Sequence, residues 1–173
     1  MINAGLLSSK TDQWATPRAF FDQWDARFRF EIDVCADAQN AKCRQYFSAA
    51  DDGLAQQWAP FRCWMNPPYG RQIGKWVAKA AAEAALGATV VCLLPARTDT
   101  AWWHEHVIPH GKITFLRGRL KFGDAKNAAP FPSAVVVFDG RPVEPWAELG
   151  RWMLGEIEQE PWRDRGSKRT REG

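Results

Sequence analysis

A chain of 173 residues, 46% apolar and 25% charged, has room for one domain with a substantial core and the composition of an ordinary globular protein. That excludes a mainly disordered chain, a collagen-like chain and a coiled coil. No apolar run approaches the roughly 20 residues of a membrane span, and the N-terminus lacks a signal-like apolar stretch, so the expected location is the cytoplasm. The formal charge of +3 is segregated, with basic residues gathered in 62–79, 112–126 and 161–173 and acidic ones in 22–52, which suits a polyanionic partner such as nucleic acid.

Residues 1–13 read as a loose arm. Thr16-Pro17 predicts a helix start, with a hydroxyl at the cap and proline at the first helical position, and the helix runs on through Phe20, Phe21 and Trp24. Phe28, Phe30, Ile32 and Val34 alternate with polar residues and predict a strand ending near Cys35. A turn and short helix from Ala38 to Phe47 follow, then an acidic loop at Asp51-Asp52-Gly53. Phe61 to Met65 is a short apolar strand that stops at Asn66-Pro67-Pro68-Tyr69-Gly70. Ile73, Trp76, Val77, Ala80 and Ala84 then share one face of an amphipathic helix that Gly87 ends. Thr89 to Leu94 predicts a buried strand, Thr100 to Ile108 a helix and Ile113 to Leu116 a strand. Arg117 to Pro132 is a long loop, Ala134 to Phe138 a last strand and Pro145 to Ile157 a closing helix.

Strands alternating with helices predict an α/β fold with a mostly parallel sheet and helices on both faces, in a compact, minimal version. The expected organisation is an arm at 1–13, one domain at 14–157 and a basic, disordered tail at 158–173. In such sheets ligands bind beyond the carboxyl ends of the strands.

Chemistry concentrates at Asn66-Pro67-Pro68-Tyr69. The prolines remove donors and stiffen the backbone just past a strand end. The Asn66 amide and the Pro67 carbonyl then project beside the flat Tyr69 ring. Such neutral acceptors suit a planar substrate carrying an exocyclic NH2 group. Accepting its two N–H groups would free the nitrogen lone pair for in-line attack on a methyl sulfonium, with no strong base required. The four cysteines are far apart and none follows a proline, so they read as reduced core residues rather than nucleophiles. His104, His106 and His110 lack metal-site spacing, so no metal is expected. There is no Walker loop and no GxGxxG. Trp76, Trp102 and Trp103 read as packing residues.

Several segments taken together resemble the S-adenosylmethionine-dependent DNA N6-adenine methyltransferases, in particular the small Dam-type group of phages and prophages. They are Trp14-Ala15-Thr16-Pro17, Asp33-Val34-Cys35-Ala36, Asn40-Ala41-Lys42-Cys43, Asp51-Asp52-Gly53-Leu54, the NPPYG turn, Leu94 to Thr100, Gly118 to Phe122 and Ala129 to Ser133. The resemblance implies a Rossmann-like class I methyltransferase of bacterial cytoplasm, encoded by a phage or prophage. It implies S-adenosylmethionine as cofactor and double-stranded DNA, with its target base flipped out, as substrate. Asn66, Pro67, Pro68 and Tyr69 would form the catalytic turn, with Tyr69 stacking on adenine. Trp14, Thr16, Pro17, Asp33, Cys35, Ala36, Asn66 and one or other of Asp51 and Asp52 would bind the cofactor. Arg71, Lys75, Arg97, Arg117, Arg119 and Lys121 would meet the nucleic acid, with Phe131 as a second stacking face.

The chain departs from larger relatives in two places. Ala36-Asp37-Ala38 stands where they carry a glycine-rich motif, and only 33 residues separate Asp33 from Asn66. No block of sequence forms a target-recognition domain, so relaxed or short-site specificity is expected, read by the 117–132 loop, the tail or a second subunit. The chain is expected as a monomer or homodimer. The same turn also suits cytosine N4, RNA adenine or a glutamine amide, and a non-catalytic nucleic-acid-binding relative is the alternative from another class.

Overall fold

Along the chain run α1 (Arg18–Phe28), β1 (Ile32–Asp33), β2 (Gln45–Tyr46), β3 (Arg62–Met65), α2 (Ile73–Ala85), β4 (Thr89–Pro95), a π-helical stretch (Trp103–Val107), a helical turn α3 (Ile108–His110), β5 (Lys112–Phe115) and β6 (Ser133–Phe138). The structure is a computed structural model that describes residues 14–141 other than 124 and 126. The N-terminal arm, the closing helix expected at 145–157 and the basic tail lie outside the described residues.

Six strands form one sheet in the order β2-β1-β3-β4-β6-β5. The ladders β2–β1, β1–β3 and β3–β4 are parallel, while β6 runs antiparallel to both β4 and β5. The sheet is therefore mixed, and the expectation of a mostly parallel one describes only its β2-β1-β3-β4 half. The reason lies in the connections. Parallel neighbours need a crossover, as α2 provides between β3 and β4, whereas β5 returns into β6 through the 116–132 loop without one.

Register sorts the core into two faces. Cys63 pairs with Val90 and Met65 with Cys92, and across the next ladder Cys92 pairs with Val136 and Val90 with Phe138. These side chains face α2 and the π-helical stretch: Gly111 sits so close to Val136 and Phe138 that a Cβ there would lie 2.4 Å from a Val136 methyl. Trp64 points the other way, its ring edge-on to Phe21 of α1 at 5.3 Å. Helices thus cover both faces. Trp58, Trp64 and Trp103 are buried, and a fully buried large apolar side chain contributes about 2–3 kcal/mol.

Local chemistry explains where the elements differ from the sequence pattern. α1 persists to Phe28, and Arg29, left-handed at φ 54°, ends it by donating its N–H to the Asp25 carbonyl. Phe28 and Phe30 alternate with polar residues because their rings stack on each other at 5.9 Å, not because they pair in a ladder. No helix forms between Ala38 and Phe47. The Asp37 carboxylate accepts the N–H groups of Gln39 and Asn40 and the Asn40 side-chain amide, which closes a turn, and the chain then enters β2. Thr16 does not cap α1. The Pro17 carbonyl accepts the first N–H groups, from Phe20 and Phe21, and the Thr16 hydroxyl is engaged elsewhere. The helix expected from Thr100 widens at Trp103, where the Ile108 N–H reaches the Trp103 carbonyl five residues back. Pro109, next along, has no N–H to offer an α-helical ladder.

Candidate active site

β1 and β3 end side by side, with Asp33 opposite Trp64. Asp33 and Asn66 therefore emerge next to each other. A cavity of about 210 Å³ opens beyond these strand ends. Of the residues expected at the cofactor, Trp14, Thr16, Asp33, Cys35, Ala36, Asp52 and Asn66 line it, joined by Pro67 and Pro68. Pro17 does not line it and instead heads α1. Asp51 does not line it either: the Ser48 hydroxyl and N–H donate to its carboxylate at 2.6 and 2.8 Å and hold it below the usual carboxylate range. Asp52, left-handed at φ 49°, faces the cavity. Its neighbour Gly53 packs so tightly that a Cβ would lie 2.3 Å from the Val34 carbonyl oxygen. This close approach requires glycine and presses the 51–53 turn against the end of β1.

Asp33 is buried, and its carboxylate accepts the N–H of Lys42 at 3.1 Å and of Cys35 at 3.4 Å. Burial pushes its carboxyl up to about 6, against the pull of those two N–H groups. Asn40, Lys42, Phe47 and Trp76 also stand on the wall. These four were not singled out for binding from sequence, although Asn40 and Lys42 lie in one of the family-like segments. Trp76, read as a packing residue, both stacks on Trp58 at 6.1 Å and reaches the cavity. The indole N–H groups of Trp14 and Trp64, both on this wall, are buried and find no acceptor among the described residues.

The NPPY turn joins this cavity to an aromatic compartment. The Asn66 Nδ2 donates to the Trp14 carbonyl and, at 3.0 Å, to the Thr16 hydroxyl. The Asn66 Oδ1 accepts from the Tyr69 hydroxyl at 2.8 Å, and the Leu93 carbonyl lies 3.1 Å from that hydroxyl. Tyr69 is only 3% exposed, and burial raises its phenol well above the ordinary value. Phe131 and Phe122 meet its ring edge-on at 5.5 and 6.2 Å, and both also pack on Trp14, at 5.0 and 5.3 Å. The 117–132 loop is thereby fastened over the turn, with the Ala129 N–H donating to the Leu120 carbonyl to close its stem.

None of the basic residues expected at nucleic acid lines the cavity. Arg97 donates to the Tyr69 carbonyl at 3.2 Å. Arg71 and Lys75 follow the turn into α2, and Arg117, Arg119 and Lys121 lead up to Phe122. All six are exposed, while Phe131 is half-buried. Burial raises all four thiols, Cys43 and Cys63 to about 12, so none is an activated nucleophile at neutral pH. His104 Nε2 lies 2.8 Å from the Thr98 carbonyl, and no group of three potential metal ligands occurs among the described residues. Nor is any helix among them long and apolar enough to cross a membrane.

The model of one protein family, DNA N-6-adenine-methyltransferase (Dam), matches residues 3–142. The DNA N-6-adenine-methyltransferase of Haemophilus phage HP1 (strain HP1c1) is 28% identical over 158 residues, which cover 86% of this chain and 90% of the phage protein. A shorter chain of Escherichia coli (strain K12), "Putative methyltransferase YfdM", is 37% identical over 70 residues, covering 36% of this chain and 77% of its own length.

Proposed function

Since the chain belongs to the Dam family of DNA N-6-adenine-methyltransferases, which are enzymes using a methyl donor, we propose that it methylates the N6 of an adenine flipped out of double-stranded DNA, with S-adenosylmethionine as the donor. The observation that carries this reading is the position of Asn66, whose amide stands between a polar cavity and a buried aromatic ring.

The cavity suits that donor. Asp33 and Asp52 offer carboxylates for a cationic amino acid moiety and for sugar hydroxyls, and Trp14, Phe47 and Trp76 offer apolar faces for a nucleobase. The two unmatched indole N–H groups are donors without acceptors on the same wall. Bound there, S-adenosylmethionine supplies a methyl carbon on positive sulfur: the N6 lone pair forms the C–N bond as the C–S bond breaks, its electrons stay on sulfur, and the methylated amine loses a proton to water. The chain's contribution is to bind and orient. Asn66 Oδ1 has a second lone pair beyond the one used by Tyr69, and the Pro67 carbonyl accepts no backbone hydrogen bond from the described residues, so the two can accept the N6 protons. Fixed dipoles of this kind act with little reorganisation.

The buried state of Tyr69 adds a step. A base stacks on its ring only after the Phe122 and Phe131 edges draw aside, so the 117–132 loop must lift as the base enters. Unstacking the base itself costs a few kcal/mol. The exposed arginines and lysines around the turn would repay this with phosphate contacts that carry no sequence information. A short or relaxed target site follows.

The test is to incubate the chain with S-adenosylmethionine and plasmid DNA and digest the product to nucleosides. N6-methyladenine is expected, and Asn66→Ala should reduce its formation about a thousandfold while cofactor binding, followed by calorimetry, persists. N4-methylcytosine as product, or full activity in the variant, overturns the proposal.

A further inference from the structure

A carboxamide can occupy its site in two orientations related by a half-turn, and only one presents oxygen to an incoming amine. In the function proposed above, Asn66 must present oxygen. Its own turn does not enforce that choice. The Tyr69 hydroxyl has one proton, and two acceptors compete for it: Asn66 Oδ1 at 2.8 Å and the Leu93 carbonyl at 3.1 Å. Were the amide reversed, its NH2 group would donate to the phenol oxygen and the phenol proton would pass wholly to Leu93. Within the turn alone, the reversed amide is the better satisfied one.

The opposite vote comes from 50 residues away. Both Nδ2 protons of Asn66 are taken up by the N-terminal segment, one by the Trp14 carbonyl and one by the Thr16 hydroxyl at 3.0 Å. A carbonyl only accepts, so a reversed amide would set oxygen against oxygen at Trp14, whereas the Thr16 hydroxyl can donate as well as accept and so steadies the amide without choosing its orientation. Thr16 is 3% exposed, and its hydroxyl makes no other side-chain hydrogen bond among the described residues. Its burial therefore serves this contact and not the helix cap that its place in the sequence suggests. The contact also acts electronically. As a carboxamide oxygen takes up protons from an increasingly positive amine, its nitrogen becomes a stronger donor, and acceptors already in place reinforce the shift.

We propose that the Trp14 carbonyl sets the orientation of the Asn66 carboxamide, oxygen toward the amine to be methylated, and that Thr16 is the positioning residue that fixes the amide there. Thr16 acts through Asn66, so its loss should appear in turnover and not in cofactor affinity. This inference rests on the proposed function, and the test separates the two.

Thr16→Val keeps the volume and removes the acceptor, while Thr16→Ser keeps the acceptor. With plasmid DNA and S-adenosylmethionine both saturating, kcat should fall about tenfold or more in Thr16→Val and return to within about threefold of wild type in Thr16→Ser. Calorimetric cofactor affinity without DNA should stay within about twofold in both. A readout independent of catalysis accompanies these. In nitrogen-15 spectra of the side-chain amides, with the Asn66 NH2 pair assigned by its loss in Asn66→Asp, Thr16→Val should shift one proton of the pair and quicken its exchange with water. Thr16→Ser should leave it near its wild-type position. An unmoved NH2 pair overturns the inference. So does a Thr16→Val variant with unchanged kcat, or one whose defect lies wholly in cofactor affinity, since Thr16 would then be a cofactor ligand. If the wild-type chain transfers no methyl group to DNA, the functional reading fails instead, and the NH2 pair alone decides whether Thr16 holds the amide.

Discussion

The two sides of Asn66 are built differently. Toward β1 and β2 lies an open cavity walled by charged and polar groups at parallel strand ends, with its carboxylates and indoles already in position. Toward β4, β6 and β5 lies a closed cluster of Tyr69, Phe122 and Phe131, packed edge to face and shut from solvent at the Tyr69 ring. One half can receive a small ligand as it stands. The other, on the proposed function, would have to give up aromatic contacts before a base could enter. Edge-to-face pairs contribute about 1 kcal/mol each beyond their buried area, so a lifted loop is within reach of ordinary binding energy. On the proposed function, cofactor affinity and DNA usage would be separable properties of one small domain, joined at the Asn66 amide and at Trp14, which lines the cavity and packs on both phenylalanines.

The sharpest way to break that separation is on the closed side. Tyr69→Leu retains apolar bulk and removes both the stacking face and the hydroxyl. Base–aromatic stacking is worth about 1–3 kcal/mol by substitution, so kcat/KM for DNA should fall about a hundredfold. Calorimetric affinity for S-adenosylmethionine should remain within about twofold. An equal loss in both quantities would show that the two halves are one site.

On the open side, Asp33→Asn should do the converse. Removing a buried charged acceptor costs about 1.5–3 kcal/mol, or roughly thirtyfold in cofactor affinity, while turnover at saturating cofactor changes by less than about threefold. Acidity gives a finer handle. Burial lifts the Asp33 carboxyl to about 6, above its ordinary 3.8. A cationic cofactor would favour the ionised form, so binding should weaken tenfold for each pH unit below about 6 and level off above it. The fold responds with the opposite sign. The native state holds this proton more tightly than the unfolded chain, so the stability it brings is complete below about pH 4 and lost as pH rises through about 6. The difference is on the order of 3 kcal/mol. The midpoint of thermal unfolding of the cofactor-free chain should therefore drop between pH 4 and 7, and drop less in Asp33→Asn. A cofactor affinity that ignores pH across this range removes Asp33 from the binding site.

What could be read from the sequence follows the same division. The strand ending at Met65, the turn after it and the acidic residue ending β1 are local patterns, and they bring Asp33 and Asn66 to neighbouring strand ends. The partners of Asn66 were not legible as such. Thr16 before proline has the form of a helix cap, and only the fold brings Asn66 within reach of its hydroxyl. Tyr69 was legible as an aromatic beside the turn, but its burial depends on Phe122 and Phe131, more than 50 residues further on, in a loop without periodicity. The short helix expected before Phe47 failed because Asp37 and Asn40 close a turn with their side chains, and a strand with the minimum of two paired residues leaves almost no alternation to detect.

The smallest expected effect separates two adjacent aspartates that the sequence leaves equivalent. Asp51 does not line the cavity and spends its carboxylate on Ser48, which does, whereas Asp52 faces the cavity from a left-handed turn that Gly53 anchors against β1. Hydrogen bonds donated by ligand hydroxyls to an exposed carboxylate are worth about 1 kcal/mol. Asp52→Ala should thus weaken S-adenosylmethionine about fivefold, and Asp51→Ala by less than twofold, with DNA KM unchanged in both. Because the two residues share one turn, any general loosening of it would move both variants together. A difference between them reports on the facing carboxylate alone, and equal losses would mean that the turn matters to the cavity only as a wall.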